Sequence, residues 1–281
     1  MRETSKPPGK IETEQAGIRW IREWDQPGLI GFRIGRDGED LIAEWRGLGT
    51  LRAARSGRAH AFTPWPNAEG GAGEGIRRTL IEGLLRHLQG KMSLHASAAA
   101  RGDRAVVFLG DSTAGKSTLA AELCAREGFE MLADDTVFLE ELADGFYVLP
   151  TESTHSLRED AARLFGYTGG DLLRKAFVSA AAIASRPAKL AACISLAFDD
   201  SMTGVAMRPM RGPEIFKVLS GGLFRFDVDD EVMVEDLSRM AALGAEVPFF
   251  ELRRAPSLDV LRASVRTLCT TLPIGDERKD A

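Results

Sequence analysis

The stretch that most constrains this chain is Gly110-Asp111-Ser112-Thr113-Ala114-Gly115-Lys116-Ser117-Thr118, which fits the pattern G-x-x-x-x-G-K-[ST] in full. The pattern requires a strand before it and a helix after it. Ala105-Val106-Val107-Phe108-Leu109 is an unbroken apolar run, and Leu119 and Leu123 recur at helical spacing between Lys116 and Arg126, with Gly128 placed to close the helix. Glycines let the backbone N–H groups of such a loop close around phosphate oxygens, while the helix presents its positive N-terminal end to them. Lys116 can then neutralise β- and γ-phosphate oxygens, and the Ser117 hydroxyl can ligate Mg²⁺. A chance match is the competing account in a chain with 29 glycines, and the flanking strand and helix speak against it. The expected ligand is ATP with Mg²⁺, held by Gly110 through Thr118.

A second feature is the pair Asp134-Asp135 at the end of the apolar segment Phe129-Glu130-Met131-Leu132-Ala133. Neighbouring side chains on a strand point to opposite faces, so the two carboxylates cannot hold one metal unless the chain turns there. Different tasks are expected of them: one reaches the metal, and the other accepts the proton of an attacking hydroxyl. An aspartate pair that merely ends a strand is the bland alternative. Its position just after the loop's own helix favours the functional reading, because a neighbouring strand would bring the pair beside the γ-phosphate.

His95-Ala96-Ser97, the loop Gly110 to Ala120, Gly128 and Ala133-Asp134-Asp135 together resemble bacterial HPr kinase/phosphorylase and the wider group of HPr-kinase-like serine kinases. The specific likeness runs from about Leu94 to Leu139. It implies an α/β P-loop kinase domain similar to ATP-dependent phosphoenolpyruvate carboxykinase, acting on a serine hydroxyl of a protein. By the same resemblance Lys116 and Ser117 hold phosphate and Mg²⁺, Asp134 is the proton acceptor and Asp135 a metal partner, with the order of those two roles open. Two departures stand out. Thr113 occupies a position where the family usually has glycine, and the glycine-rich C-terminal signature that goes with HPr recognition and phosphorolysis is missing. Stand-alone kinases that phosphorylate the C-terminal serine of lasso-peptide precursors are therefore the better model for the acceptor.

Further candidates are weaker. His95, on a strand with small neighbours, could face the phosphates or be satisfied in the core. Lys175 is singled out among Arg158, Arg163, Arg174 and Lys175 as a cation that could stabilise transition-state charge, although solvated helix-face charge is the ordinary explanation. His155, beside Ser153 and Thr154, is expected in a loop. All four tryptophans fall within the first 65 residues, and Trp45 and Trp65 are expected to pack the N-terminal unit.

The surrounding sequence divides into a polar lead over residues 1–15 expected to be disordered, a β-rich unit over 16–90 and a catalytic domain over 91–281. The β-rich unit is read from short apolar runs around Phe32 and Trp45 with Asp37-Gly38 as a hairpin turn, then a break at Thr63-Pro64-Trp65-Pro66 and a helix carrying Ile76, Leu80, Leu84 and Leu88. Downstream, a helix is expected at 157–165, a strand at 190–198, helices near 213–220, 230–243 and 258–272, and a strand at 249–252. The 36 basic and 41 acidic residues leave a net charge of −5 without long runs of either sign, which disfavours nucleic acid as a partner. No signal-like or spanning apolar segment is found, so a cytoplasmic protein without membrane association is expected. Cys124, Cys193 and Cys269 lie far apart among apolar neighbours and read as reduced, buried thiols.

The leading expectation is thus an ATP-dependent serine kinase acting on a protein or peptide, with homo-oligomerisation left open. A nucleotide-driven switch or hydrolase, a small-molecule kinase and a non-catalytic nucleotide-binding scaffold are the alternatives.

Overall fold

The computed structural model describes residues 9–15, 17–24, 31–66, 72–168, 175–224, 226, 230–272 and 274. The chain divides into two compact units, Met1–Lys91 with Arg225–Asp236, and Met92–Phe224 with Leu237–Ala281. Residues 225–236, read from the sequence as part of the catalytic domain, thus belong with the N-terminal unit. Phe226 shows why, since its ring meets Phe32 at 5.9 Å and His87 at 5.6 Å between centroids.

The first unit is an antiparallel meander of β1 (Gly9–Gln15), β2 (Ile18–Trp24), β3 (Phe32–Asp37), β4 (Asp40–Trp45), β5 (Gly49–Ala53) and β6 (His60–Pro64), paired in chain order and followed by helix α1 (Ala72–Leu88). Trp20, Ile34, Leu41, Trp45 and Leu51 are buried, and the Arg33 guanidinium lies 3.8 Å from the centre of the Trp20 ring. Three expectations are corrected here. Residues 9–15 of the supposed disordered lead pair with β2, and Thr63 and Pro64 continue β6 rather than interrupt it. Trp65 remains half-exposed, its indole N–H donating to Thr50 Oγ1 at 3.1 Å. The expected hairpin turn forms one residue later, with Asp37 opposite Asp40 and Gly38 at φ +60°. Residues 1–8 of the lead, Leu29-Ile30 and Arg174 lie outside the described residues.

The second unit is built on β7 (Ser93–Leu94), β8 (Ser97–Arg101), β9 (Arg104–Leu109), α2 (Lys116–Arg126), β10 (Glu130–Ala133), β11 (Val137–Leu142), β12 (Gly145–Val148), β13 (Thr154–Arg158), α3 (Glu159–Ala162), β14 (Lys175–Ser179), β15 (Ala188–Phe198), β16 (Val205–Pro209), α4 (Pro213–Gly222), the part of α5 (Asp230–Glu246) from Leu237 onward, β17 (Phe249–Arg254) and α6 (Leu261–Thr271). Its large sheet runs β10-β8-β9-β15-β12-β11-β7, with β17 paired to β15 and β16 to β17. β9, β15 and β17 are mutually parallel, and the remaining pairings in this sheet are antiparallel.

Strict alternation splits this sheet between two cores. Ala105, Val107 and Leu109 of β9 join one cluster with Met240 and Leu243 of α5, whereas Val106 and Phe108 join the other with Leu119 and Leu123 of α2 and Val265 and Leu268 of α6. A strand covered on both faces needs an unbroken apolar sequence, which is why β9 and the long β15 read as continuous runs. The run Ala98-Ala99-Ala100 in β8 is fully buried.

The ends of the sheet come close together. β7 and β8 are separated by only His95 and Ala96, and β10 and β11 by only Asp134 to Thr136, although the members of each pair lie at opposite ends of the strand order. Two or three intervening residues make three or four steps along the chain, at most about 10–14 Å, so the sheet must curl until its ends are neighbours across a seam. The apolar stretch over residues 92–100 is therefore split between β7 and β8, and β11 does not simply continue β10. Ahead of α3, the segment expected to begin a helix at Leu157 is strand through Arg158, and the helix shortens to Glu159–Ala162 plus a 3₁₀ turn at Arg163–Phe165.

Candidate functional site

The loop after β9 takes a shape that its glycines permit. Gly110 sits at φ +139° and Gly115 at φ +90°. A Cβ on Gly110 would lie 2.7 Å from the Leu196 carbonyl oxygen, and one on Gly115 would collide with the Arg254 guanidinium. Thr113 adopts φ +72°, a left-handed conformation that costs a β-branched residue strain. Asp111, Ser112 and Thr113 are exposed at the crest, Ala114 N–H donates to Asp111 O at 3.1 Å, and α2 begins at Lys116 with Leu119 N–H donating to Gly115 O at 3.0 Å.

Lys116 is 6% exposed and folds back over the loop, its Nζ donating to the carbonyls of Gly110 at 2.9 Å and Asp111 at 3.1 Å. It also lies 3.3 Å from His95 Nε2, while His95 Nδ1 lies 2.9 Å from the Asp135 carbonyl oxygen. An ammonium only donates and a carbonyl only accepts, so a neutral imidazole carrying its proton on Nδ1 satisfies both contacts. His95 thereby ties together the two connections that cross the seam.

The aspartates diverge because the chain turns between them. Asp135 has φ +61°, and Thr136 N–H donates to Asp134 O at 2.7 Å, closing a three-residue turn of the γ kind. Asp134, 4% exposed, accepts from Ser117 Oγ at 2.7 Å, from the Ser156 N–H at 2.7 Å and from the Ser97 hydroxyl. Asp135 instead lines a cleft of about 320 Å³ together with His95, Lys116, Ser117, Ser156 and Arg254. That volume lies at the lower end of the range for small-molecule sites. The cleft opens at the carboxyl ends of the parallel strands, the place where open α/β sheets bind ligands: Gly110 follows β9, Phe198 ends β15 and Arg254 ends β17.

Arg254 is a cleft residue that the sequence reading missed. It is 2% exposed, its guanidinium carbon stands 4.7 Å from the centre of the Phe198 ring, and burial alone lowers its pKa. Sequence offers Arg253-Arg254 as two equal charges at a strand end. The pleat separates them: Arg253 reaches the carboxylate of Glu251 at 2.9 Å, whereas Arg254 turns inward.

The other candidates disperse. Only the backbone of Lys175 is described, at the start of β14 opposite Arg158. Arg158 lines the cleft, and Arg163 pairs with Glu159 at 2.6 Å. His155 is not in a loop but on β13, buried, with neither ring nitrogen hydrogen-bonded. The three cysteines are free thiols, and burial pushes Cys124 up to about 12. No cluster of three or more His, Cys, Asp or Glu side chains able to hold a metal occurs among the described residues. No helix among them is long and apolar enough to cross a membrane.

For Mg²⁺ the relevant donors are oxygens, as that hard ion prefers: the Ser117 hydroxyl and the Asp134 carboxylate, already in contact, with Asp135 lining the same cleft. The donor set fits a cation held largely through water and phosphate rather than one in an all-protein cage.

No protein-family model matches the chain, and no curated protein matches it. Among solved structures it is similar to the HPr(Ser) kinase/phosphatase from Coxiella burnetii, at 12% identity and a TM-score of 0.36, over 63% of this chain and 94% of that one. A likeness of that degree carries no argument about function.

Proposed function

We propose that the cleft binds ATP with Mg²⁺ and that the chain transfers the γ-phosphate to a serine hydroxyl of a protein or peptide. The observation that carries this reading is the split of the aspartate pair: a γ-type turn engages one carboxylate with the loop serine and sets the other in the cleft beside Lys116 and His95. Phosphoryl transfer calls for that division, because charge on the phosphates must be neutralised at one point while a hydroxyl is positioned and deprotonated at another.

On this reading the loop N–H groups, the N-terminus of α2 and Lys116 bind the phosphates. Ser117, with Asp134 behind it, would hold the Mg²⁺, which neutralises phosphate charge when bound. Asp135 accepts the proton of the attacking hydroxyl, the reverse of the order implied by family resemblance. His95 keeps Lys116 and the Asp135 backbone in register across the seam. The serine acceptor, including the C-terminal serine of a lasso-peptide precursor, rests on the resemblance over Leu94 to Leu139.

The test is transfer of labelled γ-phosphate to serine-containing peptides. Asp135→Asn is expected to abolish transfer with ATP affinity retained, and Lys116→Ala to weaken binding itself. Full transfer by the Asp135 variant would remove the base assignment, and phosphate release indifferent to added peptide would favour a hydrolase.

A further inference from the structure

Arg254 presents an energetic problem that the loop motif does not explain. Among the described residues it has no carboxylate partner, and no nearby charge offsets its burial. Its Nε has no hydrogen-bond acceptor, and its one contact of that kind, from Nη2 to the Ala114 carbonyl, is stretched to 3.5 Å. Burying a cation without compensation is costly, and proteins ordinarily avoid it unless an anion completes the site. The structure invests in this placement. Phe198, Arg254's direct partner across β15 and β17, supports the guanidinium with its ring, and residue 115 must be glycine for the guanidinium to reach the loop.

We infer that Arg254 forms an anion subsite at the carboxyl end of β17 which, with Lys116, makes the cleft specific for a polyphosphate chain rather than a single phosphate. The inference rests on the loop being the nucleotide site. Lys116 meets the loop at Gly110 and Asp111, and Arg254 meets it at Ala114 and Gly115, so the two cations address opposite ends of one cradle. An ammonium serves as a point charge, whereas the planar guanidinium can grip two oxygens at once. A diphosphate or triphosphate extends along the cradle and can present oxygens to both cations at its two ends, which the compact orthophosphate is less able to do.

The experiment is calorimetric titration and thermal melting of the full-length protein with orthophosphate, tripolyphosphate and Mg-ATP. It compares the wild type with Lys116→Ala, Arg254→Met and Arg254→Lys. The wild type should prefer tripolyphosphate to orthophosphate at least tenfold. Arg254→Met should lose about ten- to a hundredfold in affinity for tripolyphosphate and ATP, the loss expected for a hydrogen bond to a charged group. Its ligand-free melting temperature should be no lower than that of the wild type, because an uncompensated charge has been replaced by an apolar chain of similar length. Arg254→Lys should recover part of the affinity.

If Arg254→Met binds tripolyphosphate and ATP like the wild type while Lys116→Ala is impaired, the Arg254 subsite is refuted and the loop reading stands. Both fail if the wild type binds neither ligand. A ligand-free melting temperature that drops by several degrees in both Arg254 variants would reveal a structural guanidinium and equally refute the subsite.

Discussion

Asp134 and Asp135 differ in what their removal would cost. Asp134→Ala strips the acceptor from two serine hydroxyls and a buried N–H, so a loss of about 3 kcal/mol or more is expected in urea unfolding. Asp135→Asn should stay within about 1 kcal/mol of the wild type, since asparagine tolerates the left-handed backbone that Asp135 adopts. Thr113 offers the opposite sign. Held at φ +72°, it should be improved by Thr113→Gly, with a gain of about 1 kcal/mol visible as a raised melting temperature. A threonine in a glycine-rich loop was legible in the sequence; its strain was not, because φ is set by the closed loop.

His155 adds a pH dependence. Burial holds its ring below the ordinary 6.5, and the charge of Asp134 opposes that shift only in part. Its folded pKa is depressed, so the ring is neutral in both states above pH 6.5 and costs nothing there. As pH falls below that value the unfolded chain takes up a proton that the folded chain refuses. Stability should then decline by up to about 1.4 kcal/mol per pH unit until the folded ring also titrates. Urea unfolding between pH 7 and 5 should show this decline in the wild type and a shallower one in His155→Gln.

At the scale of elements, the strand-loop-helix unit around Gly110 was plain in the sequence because each part is local: an apolar run, a glycine pattern, a helical repeat. The strand ending at Phe198 was legible too, but the part that Phe198 and Arg254 play in the site was not. They join the site only through the parallel pairing of β9, β15 and β17, contacts between residues up to 140 positions apart. The seam was hidden for the same reason, since residues 92–100 look like one strand until the sheet's curl breaks them at His95. Gly110→Ala tests how tightly this element is specified. A Cβ there meets the Leu196 carbonyl in a backbone conformation unsuited to alanine, so a loss of about 1–3 kcal/mol is expected by chemical denaturation. In the neighbouring core, Phe108→Ala should cost about 3–5 kcal/mol.

At the scale of the molecule, the second unit gathers every described part of the proposed site, from His95 to Arg254, around the carboxyl ends of three parallel strands. The mixed α/β class, the loop motif and the aspartate pair could be read from apolar patterning and residue spacing. The division of labour between the aspartates and the inward turn of Arg254 required the folded chain. The central claim is phosphoryl transfer with Asp135 as the proton acceptor, and the most direct measurement of it is label transfer from γ-labelled ATP to a panel of serine-containing peptides. Wild type should label a serine hydroxyl, and Asp135→Asn should bind ATP without labelling any. Equal labelling by the two proteins, or label released only as free phosphate whatever peptide is added, would contradict it.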